Sequence, residues 1–249
     1  MSKILITGAA KRVGAELARA CAADAHTVVL HYNQNKAAAE ALAGELRETG
    51  ALMELVHADL GDSASVITMM AAASKTGPVT ALINNASLFD YDDSKTVSAE
   101  KITQHMAVNL IAPTLLIKDM AERLPQGVSG CVINMLDAKL FGMNPDYYSY
   151  TLSKSALHTL TIMAAQAYAP RLRVNAIAPG ILLPSGGQSE AEFQASHKRN
   201  LLGQGAEIPE VVAAMRLLLS AKSITGEVIV LDGGAHLHPA ARDVAFLKD

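Results

Sequence analysis

The segment Lys3-Ile-Leu-Ile-Thr7-Gly8-Ala-Ala-Lys11-Arg12-Val13-Gly14 decides the fold. Its apolar, β-branched opening reads as a short strand buried on both faces, and the pattern after it turns helical. Gly8 permits a tight turn. Gly14 lets the helix lie close against the strand, so that the helix N-terminus faces a pyrophosphate. The match to G-x-G-x-x-G is incomplete, because Arg12 holds the middle position. Taken alone, the segment can equally be a plain strand-to-helix turn.

The same alternation continues through the chain. Strand patterns at Lys3–Thr7, Thr27–His31, Met53–His57, Ala81–Asn84, Gly130–Asn134, Arg173–Ile177 and Glu227–Leu231 alternate with longer helical ones. The helical patterns fall near Val13–Ala23, Lys36–Glu48, Ser63–Ser74, Ala99–Glu122, Tyr150–Tyr168 and Pro209–Ser220. Near-continuous apolar strands separated by helices imply a parallel sheet covered on both faces. With 249 residues, half of them hydrophobic and 18% charged, the chain can bury one substantial core. No Pro/Gly/Ser-rich linker and no internal repeat divides it. The expectation is a single α/β domain over 1–249, a Rossmann-type doubly wound parallel sheet of about seven strands with helices on both faces.

A net charge of −3 offers no electrostatic case for nucleic acid or an anionic membrane. The start lacks an apolar signal core, and no run of about 18 apolar residues occurs, so a cytosolic protein is expected. Cys21 and Cys131 are the only cysteines and form no C-x-x-C, which favours buried thiols over a disulfide or zinc cluster. His236-x-His238 has no adjoining carboxylate or cysteine and reads as a tail segment, with no metal expected.

In doubly wound sheets ligands bind outside the carboxyl ends of the strands, at the switch point. Candidate residues gather there: Thr7–Gly14, Asp59, Asn84–Ser87, Asp137 and Pro179–Gly180 each follow a strand. Tyr150 and Lys154 are one helical turn apart, on one face. There the ammonium can pull the phenol pKa down from about 10, which would make the tyrosine a usable proton donor. Asp137 is a different kind of group. An ionised carboxylate only accepts hydrogen bonds, so beside a ketone oxygen it would oppose the developing charge. Beside a protonated imine or ring N–H it would stabilise it. A turn or helix-cap role for Asp137 stays open, as does a cap role for Asp59, with Asp62 a rival.

The second strand ends His31-Tyr32-Asn33-Gln34-Asn35, with no acid before Glu40. An NAD-binding chain usually carries an acid there for the ribose hydroxyl. Its absence, with Lys11 and Arg12 nearby, favours a 2′-phosphate and hence NADPH; the alternative is that both cations are solvated surface charges. Phe89 sits in a loop at the sheet's mouth in a chain with four Phe and no Trp. It is either a stacking platform or a core plug.

The glycine loop, Asn84-Asn-Ala-Ser87, Asn109, Tyr150-xxx-Lys154 and Pro179-Gly180, in this order, make the chain resemble a short-chain dehydrogenase/reductase over residues 3–234. Arg12, Ser87 and Asp137 depart from the general pattern, and together they are similar to the pteridine reductase branch, to which dihydromonapterin reductases are near. The resemblance implies a catalytic set of Asp137, Tyr150, Lys154 and Asn109. It implies that Gly8, Lys11, Arg12, Val13, Gly14, His31, Tyr32, Asn33, Asp59, Leu60, Asn85, Ala86, Ser87, Pro179 and Gly180 line the cofactor, with Tyr150 and Lys154. Arg12, Ser87, Phe89, Asp137 and Tyr150 would hold substrate, with a pterin stacked on Phe89. The segment 182–205 reads as a substrate lid. The apolar helices 99–122 and 150–168, taken with the resemblance, imply a homotetramer.

The function this implies is NADPH-dependent reduction of a pterin C=N bond, dihydropterin to tetrahydropterin, with oxidised pterin or dihydrofolate as further substrates. The rival within the family is a carbonyl reductase. The rival of another class is a nucleotide-sensing protein with little turnover.

Overall fold

Ile4, Leu5 and Ile6 are all fully buried, yet they belong to two different cores. In the computed structural model, which describes residues 2–184, 189–243 and 246, they form β1 (Lys3–Ile6) at the centre of the sheet. Successive side chains of a strand point to opposite faces. Ile4 and Ile6 therefore pack with Leu17, Cys21, Met215 and Leu218, and Leu5 packs with Met69, Met70, Ile117 and Met120. A strand covered on both sides must be apolar at every position, which is why these runs show no alternation.

Seven strands pair in the order β3-β2-β1-β4-β5-β6-β7, every neighbour parallel. They are β2 (Thr27–Tyr32), β3 (Met53–His57), β4 (Ala81–Asn84), β5 (Gly130–Met135), β6 (Leu172–Pro179) and β7 (Val228–Leu231). The helices are α1 (Arg12–Ala23), α2 (Lys36–Glu48), α3 (Ser63–Ala73), α4 (Ala99–Met106), α5 (Ala112–Arg123), α6 (Tyr148–Tyr168), α7 (Glu190–His197) and α8 (Ile208–Ser220). The chain winds outward from β1 to β3, then returns to the other side of β1 as β4. Strand order reverses there, and the loops after β1 and β4 part to leave a crevice. This is the doubly wound, Rossmann-type architecture expected. No helix among the described residues is long and apolar enough to cross a membrane.

One element differs from expectation. The periodicity predicts a single helix over 99–122, but a π-helical stretch, Ala107–Ile111, separates α4 from α5. Pro113 explains it. It has no N–H to give the carbonyl of Asn109, and its ring crowds that carbonyl in an unbroken α-helix. The chain takes up an extra residue, the Ala112 N–H reaches back to the Ala107 carbonyl, and Pro113 falls in the first turn of α5. Of the segment 182–205, residues 185–188 lie outside the described residues.

His31 ties the crevice together. Its Nδ1 accepts from the Gly8 N–H at 3.0 Å, and Nε2–H donates to the Ala58 carbonyl at 3.1 Å. Burial pushes its pKa down to about 4. The unfolded chain protonates this residue near pH 6.5 and the folded one only near 4, so acidification across that interval favours unfolding. We predict that the wild type loses up to roughly 3 kcal/mol from this group between pH 6.5 and 4. His31→Asn, less stable at pH 7, would show a shallower loss when urea unfolding is compared at the two pH values.

Candidate active site

The crevice begins with the turn after β1. Gly8 has φ +63° and Arg12 φ +53°. The second value shows why the middle position of the motif favours glycine: it lies in the left-handed region, which Arg12 occupies at some steric cost. The Arg12 Nη1 donates to the Pro184 carbonyl at 3.1 Å. Lys11, at the N-cap of α1, makes no side-chain cap, and the first turn contains no acid. The leading N–H groups of this helix are thus left for an anion.

Asn85 and Thr7 join the turns after β4 and β1. The Thr7 Oγ1 accepts from the Asn85 and Ala86 N–H groups at 2.9 and 3.0 Å, and the Asn85 Nδ2 donates to the Thr7 and Gly8 carbonyls at 2.9 and 3.2 Å. Gly14 is required by this join, since a methyl there would stand 2.6 Å from the Asn85 Nδ2.

Two cavities open onto the crevice. One, of about 300 Å³, is lined by Lys11, Tyr32, Asn33, Asp59, Leu60 and Ser87. The other, of about 770 Å³, is lined by Arg12, Phe89, Asp137, Tyr147, Tyr150 and Gly180 among others. The proposed substrate residues therefore divide: Ser87 faces the smaller cavity, and the remaining four face the larger. His31 reaches the smaller cavity with both ring nitrogens already engaged. The Asp59 Oδ1 accepts from the Gly61 N–H at 2.9 Å and from the Asn33 Nδ2 at 3.4 Å. The cap of α3 falls to Asp62. Val13 and Gly180 line the larger cavity and Gly8 and Ala86 the smaller, while Pro179 closes β6. Asn84 turns inward, its Nδ2 donating to the Asn134 Oδ1 at 2.8 Å.

Tyr150 and Lys154 are buried on α6. The Tyr150 hydroxyl donates to the Asp137 Oδ2 at 2.8 Å, while the Asp137 Oδ1 accepts from the Lys139 N–H at 2.8 Å. Asp137 thus caps the short turn Ala138–Phe141 with one oxygen and meets the tyrosine with the other. Lys154 donates to the Met135 carbonyl at 2.7 Å, and its Nζ lies 5.8 Å from the centre of the Tyr150 ring. The sequence argument that Lys154 lowers the phenol pKa is corrected by this geometry. Burial, then the Asp137 carboxylate, raises Tyr150 well above 10, and burial brings Lys154 down to about 8 against the pull of Asp137. Desolvation disfavours the phenolate, the Asp137 carboxylate adds to that effect, and the Lys154 ammonium is engaged with the Met135 carbonyl.

Asn109, on the π-helical stretch, accepts from the Leu88 N–H at 2.8 Å and donates to the Leu88 carbonyl and the Ser153 Oγ, each at 2.9 Å. Its side chain pins the loop after β4 to α6 and does not itself bond Lys154. In that loop the Phe89 ring stacks on Tyr147, with centroids 4.3 Å apart and planes 13° apart, and meets Tyr150 edge-on at 4.7 Å.

Three features escaped the sequence argument. Asp92, fully buried, caps α6 from the loop after β4: its Oδ1 accepts from the Ser149 N–H at 2.9 Å and its Oδ2 from the Ser149 hydroxyl. No side chain caps α6 at its own N-cap position. Tyr147 fills that position at φ +52°. The tail forms a wall of the larger cavity, held by Arg242 to the Asp146 carboxylate at 2.7 Å and by His236 Nδ1 to Asp232 at 2.8 Å.

Comparison with known proteins places this geometry. A family model described as enoyl-(acyl carrier protein) reductase matches residues 8–236. The structure superposes with a TM-score of 0.91 on FolM alternative dihydrofolate reductase 1 from Brucella canis, solved with NADP; the two are 37% identical and each is covered to 98%. Pteridine reductase 1 of Leishmania tarentolae is 32% identical in an alignment that covers 94% of this chain and 96% of that protein. Dihydromonapterin reductase of Klebsiella pneumoniae is 29% identical over 238 residues, 94% and 96% of the two chains. The chain belongs to the short-chain dehydrogenase/reductase family, a family of nicotinamide-dependent oxidoreductases.

Losing the Asp92 cap removes two bonds to a buried carboxylate. We predict that Asp92→Ala costs about 2 kcal/mol in chemical denaturation. It should also lower turnover, because the helix it starts carries both Tyr150 and Lys154.

Proposed function

We propose that this enzyme reduces a C=N bond in the ring of a dihydropterin, with NADPH as the reductant. The observation that carries the reading is the 2.8 Å bond from the Tyr150 hydroxyl to the Asp137 carboxylate. Hydride reduction of C=N needs a proton at nitrogen, and the Tyr150 O–H, given to Asp137 at rest, turns to a basic ring nitrogen to supply it. The carboxylate accepts from neighbouring N–H groups, of which pterins have several. The relatives named as pteridine, dihydromonapterin and dihydrofolate reductases support the same substrate class.

The crevice fits a dinucleotide. The uncapped start of α1 would meet the pyrophosphate. Lys11, Tyr32 and Asn33 line the smaller cavity where an adenosine 2′-phosphate would lie, with no acid after β2 to repel it. When bound, the nicotinamide supplies the hydride. Tyr150 gives the proton to the ring nitrogen, and the elevated pKa keeps it protonated at neutral pH. Lys154, cationic below about pH 8, offsets the negative charge left on the Tyr150–Asp137 pair. Phe89 stacks on the ring, Arg12 reaches both ligands, and Asn109 holds the loop that carries Phe89. Within the segment 182–205, the described residues Leu182, Leu183 and 196–201 line the larger cavity and would serve as the substrate lid. Leu152, Ile162 and Met163, exposed on α6, supply the apolar surface for a homotetramer.

Oxidation of NADPH, followed by absorbance with dihydropterins, NADH and simple ketones in parallel, tests this reading. Tyr150→Phe should leave NADPH affinity within about twofold and remove 10²-fold or more of kcat, the usual worth of a positioned acid. Asp137→Ser should impair dihydropterin turnover far more than NADPH binding; unchanged or improved turnover, or a preference for ketones, would rule the assignment out. Light scattering behind size exclusion should give a mass of about four chains of 26.2 kDa.

A further inference from the structure

Tyr147 combines two properties that a capping residue does not need together. Its backbone lies at φ +52°, where a bulky side chain is disfavoured and glycine is at ease. Its carbonyl opens α6, accepting from the Thr151 N–H at 2.8 Å. A glycine would make that turn equally well. The ring, however, is held on several sides. Phe89 lies parallel to it at 4.3 Å, Tyr91 meets it edge-on at 5.2 Å, and the Lys139 Nζ stands 5.3 Å from its centre. Backbone strain at a ligand-facing position persists only where the surroundings over-determine it, and such positions cluster at ligand clamps.

The consequence falls on Phe89. One broad face of its ring is covered by Tyr147, and its contact with Tyr150 is edge-on. At 44% exposure it still presents surface for another flat group. A ring backed by a parallel ring cannot tilt freely, so the plane of Phe89 is set relative to the Tyr150 hydroxyl. We infer that Tyr147 is a positioning residue for a flat substrate: it backs Phe89 and so fixes the plane in which the heterocycle lies against the Tyr150–Asp137 pair. This rests on the substrate class proposed above and adds the residue that selects for planarity.

Tyr147→Gly tests the ring apart from the backbone, because glycine accepts the same φ without strain. In this variant KM for dihydrobiopterin should rise about fivefold to tenfold, the worth of a lost aromatic pair, while kcat and KM for NADPH change less than threefold and Tm falls by no more than about 5 °C. Tyr147→Phe, which keeps the ring, should return KM to within about twofold of wild type. A wild-type KM in Tyr147→Gly, or no rescue by Tyr147→Phe, overturns the inference. Calorimetric binding of a diaminopteridine to the NADP⁺-loaded enzyme separates it from the functional reading. If the wild type binds the compound without reducing any dihydropterin, the functional reading falls. Weaker binding by Tyr147→Gly then upholds the role of the ring, and equal binding overturns it. A wild type that neither reduces dihydropterins nor binds the compound overturns both.

Discussion

The crevice depends on the join between Thr7 and Asn85. β1 and β4 are neighbours in the sheet but far apart in the chain, and their loops diverge just where ligands must enter. Two backbone N–H groups on one threonine hydroxyl, and one amide on two carbonyls, hold the loops in register. Gly14 then sets how near α1 comes, and His31 fixes the Gly8 amide from the opposite side. These bonds give partners to backbone groups at the open switch point, where no ladder runs between the two loops.

The electrostatics of the site follow from burial more than from pairing. Tyr150, Lys154 and Asp92 all sit in the interior. Taking a phenol out of water and setting it on a carboxylate stabilises its neutral form, and taking an ammonium out of water weakens its hold on a proton. The Tyr150 hydroxyl therefore stays neutral in the resting protein. In the mechanism proposed above, its proton leaves only on the approach of a basic atom.

How much of this the sequence disclosed depends on the range of the forces involved. The strands were legible because Ile4, Leu5 and Ile6 leave no polar position. The loops that face the crevice followed from where each strand stops, and Tyr150 and Lys154 from one turn of helix. Asp137 was legible as a residue but not as a pair of roles, since its two oxygens serve a local turn and a partner thirteen residues away. Asp92 was opaque because its cap is set by tertiary approach, across 57 positions of chain. The break at Pro113 could have been read: a proline in a long helical pattern removes a donor wherever it stands.

That break has a geometric effect on the helix pair it separates. An inserted residue turns everything beyond it by about 100° around the axis, since an α-helix spends 3.6 residues on each turn. α4 lies mainly against α6, whereas α5 lies mainly against α3. A single rod of unbroken phase would face one neighbour along its whole length. The phase slip at Ala107–Ile111 lets one rod serve two, steadying the helix that carries Tyr150 and Lys154 with its first half and sealing the sheet's far core with its second.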